Sequence, residues 1–414
     1  LFTPSSPLVF RTGRPFDQAG DPVSLDFPLP STLAGACRTA IGDAVKMDFS
    51  QEGHTLKEIP VHGPLAALIP NDEKEAPEPL FPQPADSLYL RPKASEGQDH
   101  AAQVCQLKPG SPEADTWSDL PDNLEPVYLQ EEIKGKPVPG AKWWCQNRLI
   151  DWLLDNRRVN TLAPEKLGWA GPSRELRTHV QLASNTLAAV DGQLFQTENL
   201  SFGQGQLKIN EGDAHQGWSS EQYGLLVQWQ DDRLQDPAFF RRIGGEGRIA
   251  SVQRIEDGWP TIPQELLDAF KALKPPQDLD IGQVRGIRLI LATPALFKYG
   301  WRPDWIKKMA AGLIGSPPGF PEITLQLKAF ISPRWQPVSG WDLQKICPCS
   351  AEGKLLPFGC ARAVRRMVPA GAVYWFEVQA GHEHLNKLWL QPISDLEQDQ
   401  QDGYGLVLPG LWTK

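Results

Sequence analysis

Residues Phe239 to Ser251 read F-F-R-R-I-G-G-E-G-R-I-A-S, three glycines within four positions flanked by Arg241, Arg242 and Arg248. Gly244, Gly245 and Gly247 remove side chains and let backbone amides approach an anion, while the arginines supply positive charge on either side. That chemistry suits an RNA backbone, although an ordinary surface turn has the same composition. No Lys-Ser or Lys-Thr follows the last glycine, so this is not a Walker A loop, and the spacing does not match a dinucleotide fingerprint. A second stretch, Phe27 to Val45, reads F-P-L-P-S-T-L-A-G-A-C-R-T-A-I-G-D-A-V. Pro28 and Pro30 hold the approach extended, and Ser31 is placed to cap a helix. Leu33, Ala36, Cys37, Ala40, Ile41, Ala44 and Val45 then form one apolar stripe. The opposite face carries Gly35, Arg38, Thr39 and Gly42. Glycine costs about 1 kcal/mol against alanine inside a helix, so two on one face point to close approach of another backbone. The Ser31/Thr32 helix start with Arg38 would suit a phosphate chain. A core helix packed tightly on a sheet explains the pattern more simply.

Other reactive groups are sparse. No H-E-x-x-H, G-x-S-x-G or Cys-x-x-Cys occurs. His382-Glu383-His384 follows an expected strand, where two histidines on one face could share a metal; a hairpin turn fits better. Cys347, Cys349 and Cys360 offer three thiols without a fourth ligand, more in keeping with packing than with a zinc knuckle. No cofactor is expected. The one enzymatic alternative is a metal-independent RNA endonuclease with His179 as general acid or base. On the stretch E-L-R-T-H-V, His179 and Arg177 serve equally to position RNA or a neighbouring subunit without chemistry, which is the reading preferred.

The elements that must carry these residues are a mixture of strands and helices. Leu8-Val9-Phe10 reads as a strand ending in Arg11 and Arg14, followed by the helix above, then strands at His62–Ile69 and Leu88–Leu90 separated by an acidic, proline-rich loop. Residues 94–139 have little periodicity and read as a long loop. Trp144–Asn156 has helical spacing, Glu175–Phe202 alternates as a hairpin, and Gly224–Trp229 is a strand able to close the first sheet. The pattern then restarts. Thr261–Leu273 and Pro303–Ile314 read as helices, while Gly286–Thr293, Ile323–Ile331 and Gly371–Val378 read as strands. Gly403 and Gly405 turn into a last one. The fold class is α+β, and two ferredoxin-like units in tandem is the architecture expected.

Composition bounds the function. The 414 residues are 41% hydrophobic and 22% charged, ample for a real core, and the formal net charge of −9 excludes a generic nucleic-acid binder. Any RNA contact must be a local basic seam. Six cysteines make no disulfide scaffold. No apolar run approaches the roughly 20 residues that span a bilayer, so a cytoplasmic protein with no membrane partner is expected.

Nine short motifs occur in order: F-R-T-G-R-P-F (Phe10–Phe16), P-L-P-S-T-L-A-G (Pro28–Gly35), H-G-P-L (His62–Leu65), L-F-P-Q-P-A-D-S-L-Y-L (Leu80–Leu90), R-T-H-V (Arg177–Val180), G-Q-L-F-Q-T-E (Gly192–Glu198), I-G-G-E-G-R-I-A (Ile243–Ala250), V-P-A-G-A-V-Y-W-F-E (Val368–Glu377) and the terminal G-Y-G-L-V-L-P-G. Together they resemble the third RAMP subunit of the type III-B CRISPR effector, the Cmr complex, across nearly the whole chain except about 94–174 and the cysteine loop. The resemblance implies two ferredoxin-like (RRM-like) RAMP domains with long insertions, 1–255 with its insertion around 94–174, and 256–414. It implies no catalysis by the subunit itself, binding of the 5′ tag of the CRISPR RNA, and contacts to the large polymerase-like subunit and backbone RAMP subunits. Carried over, Ser31, Thr32 and Arg38 would meet tag phosphates, the glycine loop with Arg241, Arg242 and Arg248 would cross the RNA, and Gly403 and Gly405 would form a comparable turn. Arg11, Arg14, Gly35, Arg177 and His179 complete the expected RNA-binding set. Gly247 stands where the family pattern has a side chain. A RAMP endoribonuclease processing precursor RNA, and the equivalent type III-D subunit, are the alternatives.

Overall fold

A computed structural model describes residues 1–11, 24–49, 52–72, 75–92, 101–110, 120–121, 124–129, 133, 135–155, 162–203, 206–208, 217–219, 221–234, 238–256, 258–273, 284–342 and 360–413. Two large antiparallel sheets dominate. The first has eight strands in the order Ala238–Arg242, Ile249–Gln253, Phe2–Pro4, Gln222–Trp229, Val61–Ile69, Glu78–Pro82, Trp143–Cys145 and Gly168–Trp169. The second has six, ordered Ile306–Met309, Gly312–Gly315, Thr324–Ile331, Val373–Ala380, Val284–Leu291 and Val407–Thr413. Helix α1 (Pro30–Ala44) connects Phe2–Pro4 to Val61–Ile69, which lie parallel with Gln222–Trp229 between them.

The strand Val61–Ile69 is apolar on both faces because both are covered. Alternate side chains point to opposite sides of a sheet. Ala66 and Leu225 enter a core shared with Leu33 and Cys37 of α1, while Leu65, Ala67 and Leu226 enter a larger core with Trp152, Ile287, Leu289 and Trp375. The first sheet is thus a middle layer, with α1 on one side and the second sheet's core on the other.

Several sequence expectations give way to this packing. Leu8–Phe10 is not a strand: it is a buried extended segment held by a bridge from Leu8 to Leu200, and the first strand is Phe2–Pro4. Ser31 does not cap α1, which starts at Pro30 without a side-chain cap, and Thr261 likewise gives way to Pro263 before the helix Gln264–Lys271. The proline-rich loop supplies Glu78–Pro82, the true partner of Val61–Ile69. Ser87–Pro92 joins Gln103–Pro109, Val127–Leu129 and Gly135–Pro137 in a four-stranded sheet, so the region read as a long loop is partly built of strands. Gln222–Trp229 lies inside the first sheet rather than closing it. Trp143–Cys145 is a strand, and helix α2 covers only Gln146–Leu153.

The clearest reversal is Pro303–Ile314. Ile306, Met309, Ala310 and Leu313 have helical spacing, yet the segment is the hairpin Ile306–Met309 and Gly312–Gly315. Ile306 and Leu313 face the core while Met309 is 53% exposed beside the turn, and Gly312 takes φ +127°, a value that excludes a helix there. His382-Glu383-His384 lies in a 3-10 turn (His382–Leu388) rather than on a strand face.

The two halves meet on a buried charge cluster. Arg288, on the strand between Val373–Ala380 and Val407–Thr413 of the second sheet, donates to Asp86 at 2.5 Å and to the Trp152 carbonyl of α2. Trp152 Nε1 donates to the other Asp86 oxygen at 2.9 Å. Asp155, just past α2, accepts from Lys108 Nζ at 2.7 Å and from the Thr413 amide at 3.1 Å, and its carboxylate lies 3.8 Å from Arg288. Burial holds the Asp86 carboxyl above its ordinary range in spite of Arg288. For Asp155, burial raises the pKa, but Arg288, Thr413 and Lys108 together bring it down to about 2. Removing one partner of a buried pair strands the other charge, at a cost of about 3–5 kcal/mol. Arg288→Ala is therefore expected to shift the denaturant midpoint sharply downward. Because the folded Asp155 titrates below its unfolded value, its share of stability, about 2 kcal/mol, is present above about pH 4 and disappears as pH falls toward 2. Acid unfolding of Asp155→Asn, compared with the parent chain, measures that share as a flatter stability curve below pH 4.

Candidate nucleic-acid interface

The glycine-rich stretch is the connection of a β-hairpin at the edge of the first sheet, between Ala238–Arg242 and Ile249–Gln253. Ile243 N–H donates to the Arg248 carbonyl at 2.9 Å, and Gly245 N–H donates to the Val9 carbonyl at 2.8 Å. The turn is therefore pinned to the Leu8–Phe10 segment. Gly244 has φ +71°, and a Cβ there would lie 2.5 Å from the Val9 oxygen, so both conformation and space demand glycine. Gly247 has open space around it and is needed only for its φ of +63°; its neighbour Glu246 also sits at +57°.

Between this turn, the Val9–Arg11 segment and one face of α1 runs an open groove of about 890 Å³. Thr32, Gly35, Ala36 and Thr39 form its helical wall, with Arg11, Arg241, Arg242, Gly244 and Gly245 opposite. Gly35 opens the wall rather than admitting a backbone, since nothing lies within 4 Å of a Cβ placed on it; Gly42 instead packs on the Phe49 ring, 2.6 Å from such a Cβ. Arg11 pairs with Glu246 at 2.7 Å and Arg241 with Asp43 of α1 at 2.6 Å. Arg242 is exposed and, among the described residues, meets no carboxylate. Arg241 Nε and Arg248 Nε are buried donors without an acceptor. One lining residue escaped the sequence reading: Phe240 is 72% exposed in the groove beside the arginine pair. Its neighbour Phe239 packs on the inner core. The signal was the doublet Phe239-Phe240 on an edge strand, where one of two adjacent rings must face outward.

The expected set divides around this groove. Arg11, Thr32, Gly35, Arg241, Arg242, Gly244 and Gly245 converge on it. Arg248 turns to Asn199 Oδ1 at 3.4 Å, at the base of the long hairpin Ser173–Leu182 and Ala189–Ser201. On that hairpin Arg177 pairs with Glu175 at 3.0 Å, and His179 stacks on Phe195 with ring centroids 5.1 Å apart while its Nε2 contacts Thr197 Oγ1 at 2.8 Å. Arg177 and His179 share a hairpin face with Asn199, so they extend away from Arg248.

Arg38 and Ser31 are corrections. Arg38 is buried, ion-paired with Asp402, and donates to the Ile59 carbonyl at 2.8 Å and the Gln401 carbonyl at 3.0 Å. Ser31 Oγ lies 2.9 Å from the Tyr404 hydroxyl. Both tie α1 to the C-terminal segment. Gly403 and Gly405 are likewise packing residues: a Cβ on Gly403 would stand 2.6 Å from the Val61 carbonyl, and one on Gly405 2.9 Å from the Ser394 amide. Arg14, Cys347 and Cys349 lie outside the described residues. Among the described residues no three His, Cys, Asp or Glu side chains converge to hold a metal, and no helix is long and apolar enough to cross a membrane.

Comparison with known proteins gives one decisive result. Residues 1–412 match the family described as CRISPR-associated protein (Cas_Cmr3). No curated protein matches. Among solved structures, a chain of the type III-B Cmr-beta complex bound to cognate target RNA and AMPPnP aligns with 14% identity and a TM-score of 0.42, covering 90% of this chain and 84% of that one. A chain of Cmr-beta bound to cognate target RNA alone aligns with 12% identity and a TM-score of 0.40, covering 90% and 85%. The match to the family over nearly the full length agrees with the order of the sequence motifs: this chain belongs to the Cas_Cmr3 family of CRISPR-associated proteins.

Proposed function

We propose that the chain is a non-catalytic subunit that holds the 5′ tag of the CRISPR RNA in the groove beside α1, and that its other surfaces dock the large polymerase-like subunit and the backbone RAMP subunits. One observation carries this reading: Arg11 and Arg241 line the groove opposite a helix face left bare at Gly35, with Phe240 and Arg242 exposed along its rim. A single strand binds through cations along its phosphates and aromatic faces under its bases, and the groove holds both. Glu246 and Asp43 keep Arg11 and Arg241 extended into it, where a phosphate competes for the same guanidinium. The −9 net charge is compatible, because the basic seam is local.

The tandem ferredoxin-like architecture is part of the proposal. In each half the first strand lies between the third and the last, and the second flanks the third: Val61–Ile69, Gln222–Trp229, Phe2–Pro4, Ile249–Gln253 in one, and Thr324–Ile331, Val373–Ala380, Val284–Leu291, Val407–Thr413 in the other. That is the order of a split β-α-β unit. All strands of the first sheet end by Gln253 and those of the second begin at Val284, which supports the division into 1–255 and 256–414. The endoribonuclease reading loses ground because His179 is engaged by Phe195 and Thr197.

Two outcomes are expected. Phe240→Ala removes one base stack, worth about 1–3 kcal/mol, and weakens tag RNA binding by fluorescence anisotropy without unfolding the chain. Replacing Arg241, Arg242 and Arg248 by alanine flattens the salt dependence, by about 0.7 for each phosphate that is no longer neutralised. Crosslinks from the 5′ tag to Phe239–Arg248 peptides in the assembled complex support the assignment. Crosslinks confined to the middle or 3′ end of the RNA overturn it, and RNA cleavage that disappears in His179→Ala restores the nuclease.

A further inference from the structure

On the second half, the short strands Ala295–Leu296, Arg365–Val368 and Gln336–Val338 form a small sheet. Two large rings stand out beside it: Tyr299 is 48% and Trp335 49% exposed. Each is backed by cations. Arg302 lies 4.7 Å and Lys298 5.5 Å from the Tyr299 centroid, and Arg366 lies 5.3 Å from that of Trp335. Arg366 also lines a cavity of about 620 Å³ together with Lys298 and Tyr299, so Arg366, which lies over Trp335, links that ring to the Tyr299 side.

The charge left over on that surface is positive. Asp304 pairs with Lys307 at 2.9 Å, Asp399 pairs with Arg365 at 2.7 Å, and Asp395 accepts the backbone amides of Lys298 at 2.7 Å and Asp304 at 2.8 Å. Lys298, Arg302 and Arg366 come within 4.0 Å of no carboxylate among the described residues. Their neighbours are ring faces. The patch and the groove meet through the core: the underside of the small sheet, Leu296, Val338 and Met367, packs with Tyr404 and Leu29, and Leu29 also lines the groove at the start of α1.

We propose that this surface is a second seat for the single-stranded RNA held in the groove, which passes the start of α1 and stacks bases on Tyr299 and Trp335 while Lys298, Arg302 and Arg366 meet its phosphates. The inference rests on the groove reading for the path of the strand. An acidic protein segment could match the cations but would leave two half-exposed rings without planar partners, whereas every nucleobase offers a π-face. Recognition here is tolerant of sequence.

The test compares oligouridylates of about 6 and about 20 nucleotides, bracketing the usual span of single-strand sites, on the full chain. The Tyr299→Ala/Trp335→Ala double variant is expected to bind the longer RNA about tenfold or more weakly and the shorter one as before. Tyr299→Phe/Trp335→Phe restores binding, which a merely structural effect on the small sheet would also have to explain through a changed melting profile. Arg302→Ala/Arg366→Ala lowers the salt slope for the longer RNA by about 1.4, two phosphates at about 0.7 each. Unchanged binding of the longer RNA by the double alanine variant overturns the second seat. So do crosslinks in the assembled complex that join Tyr299 and Trp335 to protein instead of RNA. Weaker short-RNA binding in Phe240→Ala reports on the groove alone, so failure of the groove and failure of the patch are read separately.

Discussion

Arg288 is a guanidinium with almost no solvent contact, placed on the strand next to the edge of the second sheet and aimed across the interface at Asp86. A charge in that position is tolerable only if its partners come from the opposite side, because an unpaired ion in a low-dielectric interior costs far more than folding leaves in hand. The partners do come from there: Asp86 from the start of a strand, the Trp152 carbonyl from the end of α2, and Asp155 one turn further on. Asp155 in turn collects Lys108 and Thr413, so the last strand of the chain and the inserted sheet are held on the same cluster. Arg288 thereby ties the second sheet to Asp86, Trp152 and Asp155.

A second, smaller cluster repeats the logic at the other end of the interface. Arg38 reaches from α1 to Asp402 and to the carbonyls of Ile59 and Gln401, and Ser31 meets Tyr404. With its start and middle fixed to the C-terminal segment through Ser31 and Arg38, and Leu33, Cys37 and Ile41 buried, α1 has one face left over. That face, bare at Gly35, is the groove wall. The helix is therefore oriented by residues that do not themselves line the groove.

The order of strands within each sheet separates partners that are adjacent in sequence, which explains where local reading stopped. Glu175–Phe202 was legible from its alternation, and His62–Ile69, Gly286–Thr293 and the terminal strand from short apolar runs bounded by glycine or proline. Pro303–Ile314 was not, because four apolar residues at helical spacing coincide by chance with two core-facing strand positions and a turn. The glycine hairpin was legible in type and place, whereas Phe240 was visible only as one half of an aromatic pair.

By itself the sequence determined the family, through nine motifs in order, along with the basic glycine turn and the absence of a recognisable catalytic or metal motif; of the apolar stripe of α1 it placed Leu33, Cys37, Ala40 and Ile41, whereas Ala44 and Val45 are exposed and Arg38 and Gly42 are buried instead. What tertiary structure alone decided is the use to which each arginine is put. Arg38 and Arg241 look alike in sequence, a cation among small or apolar neighbours. One is buried against a carboxylate more than 360 positions away in the chain, and the other lines an open groove. The reason is physical: a cation's role depends on the nearest carboxylate and on its access to water, and both are set by contacts between segments that local sequence does not relate.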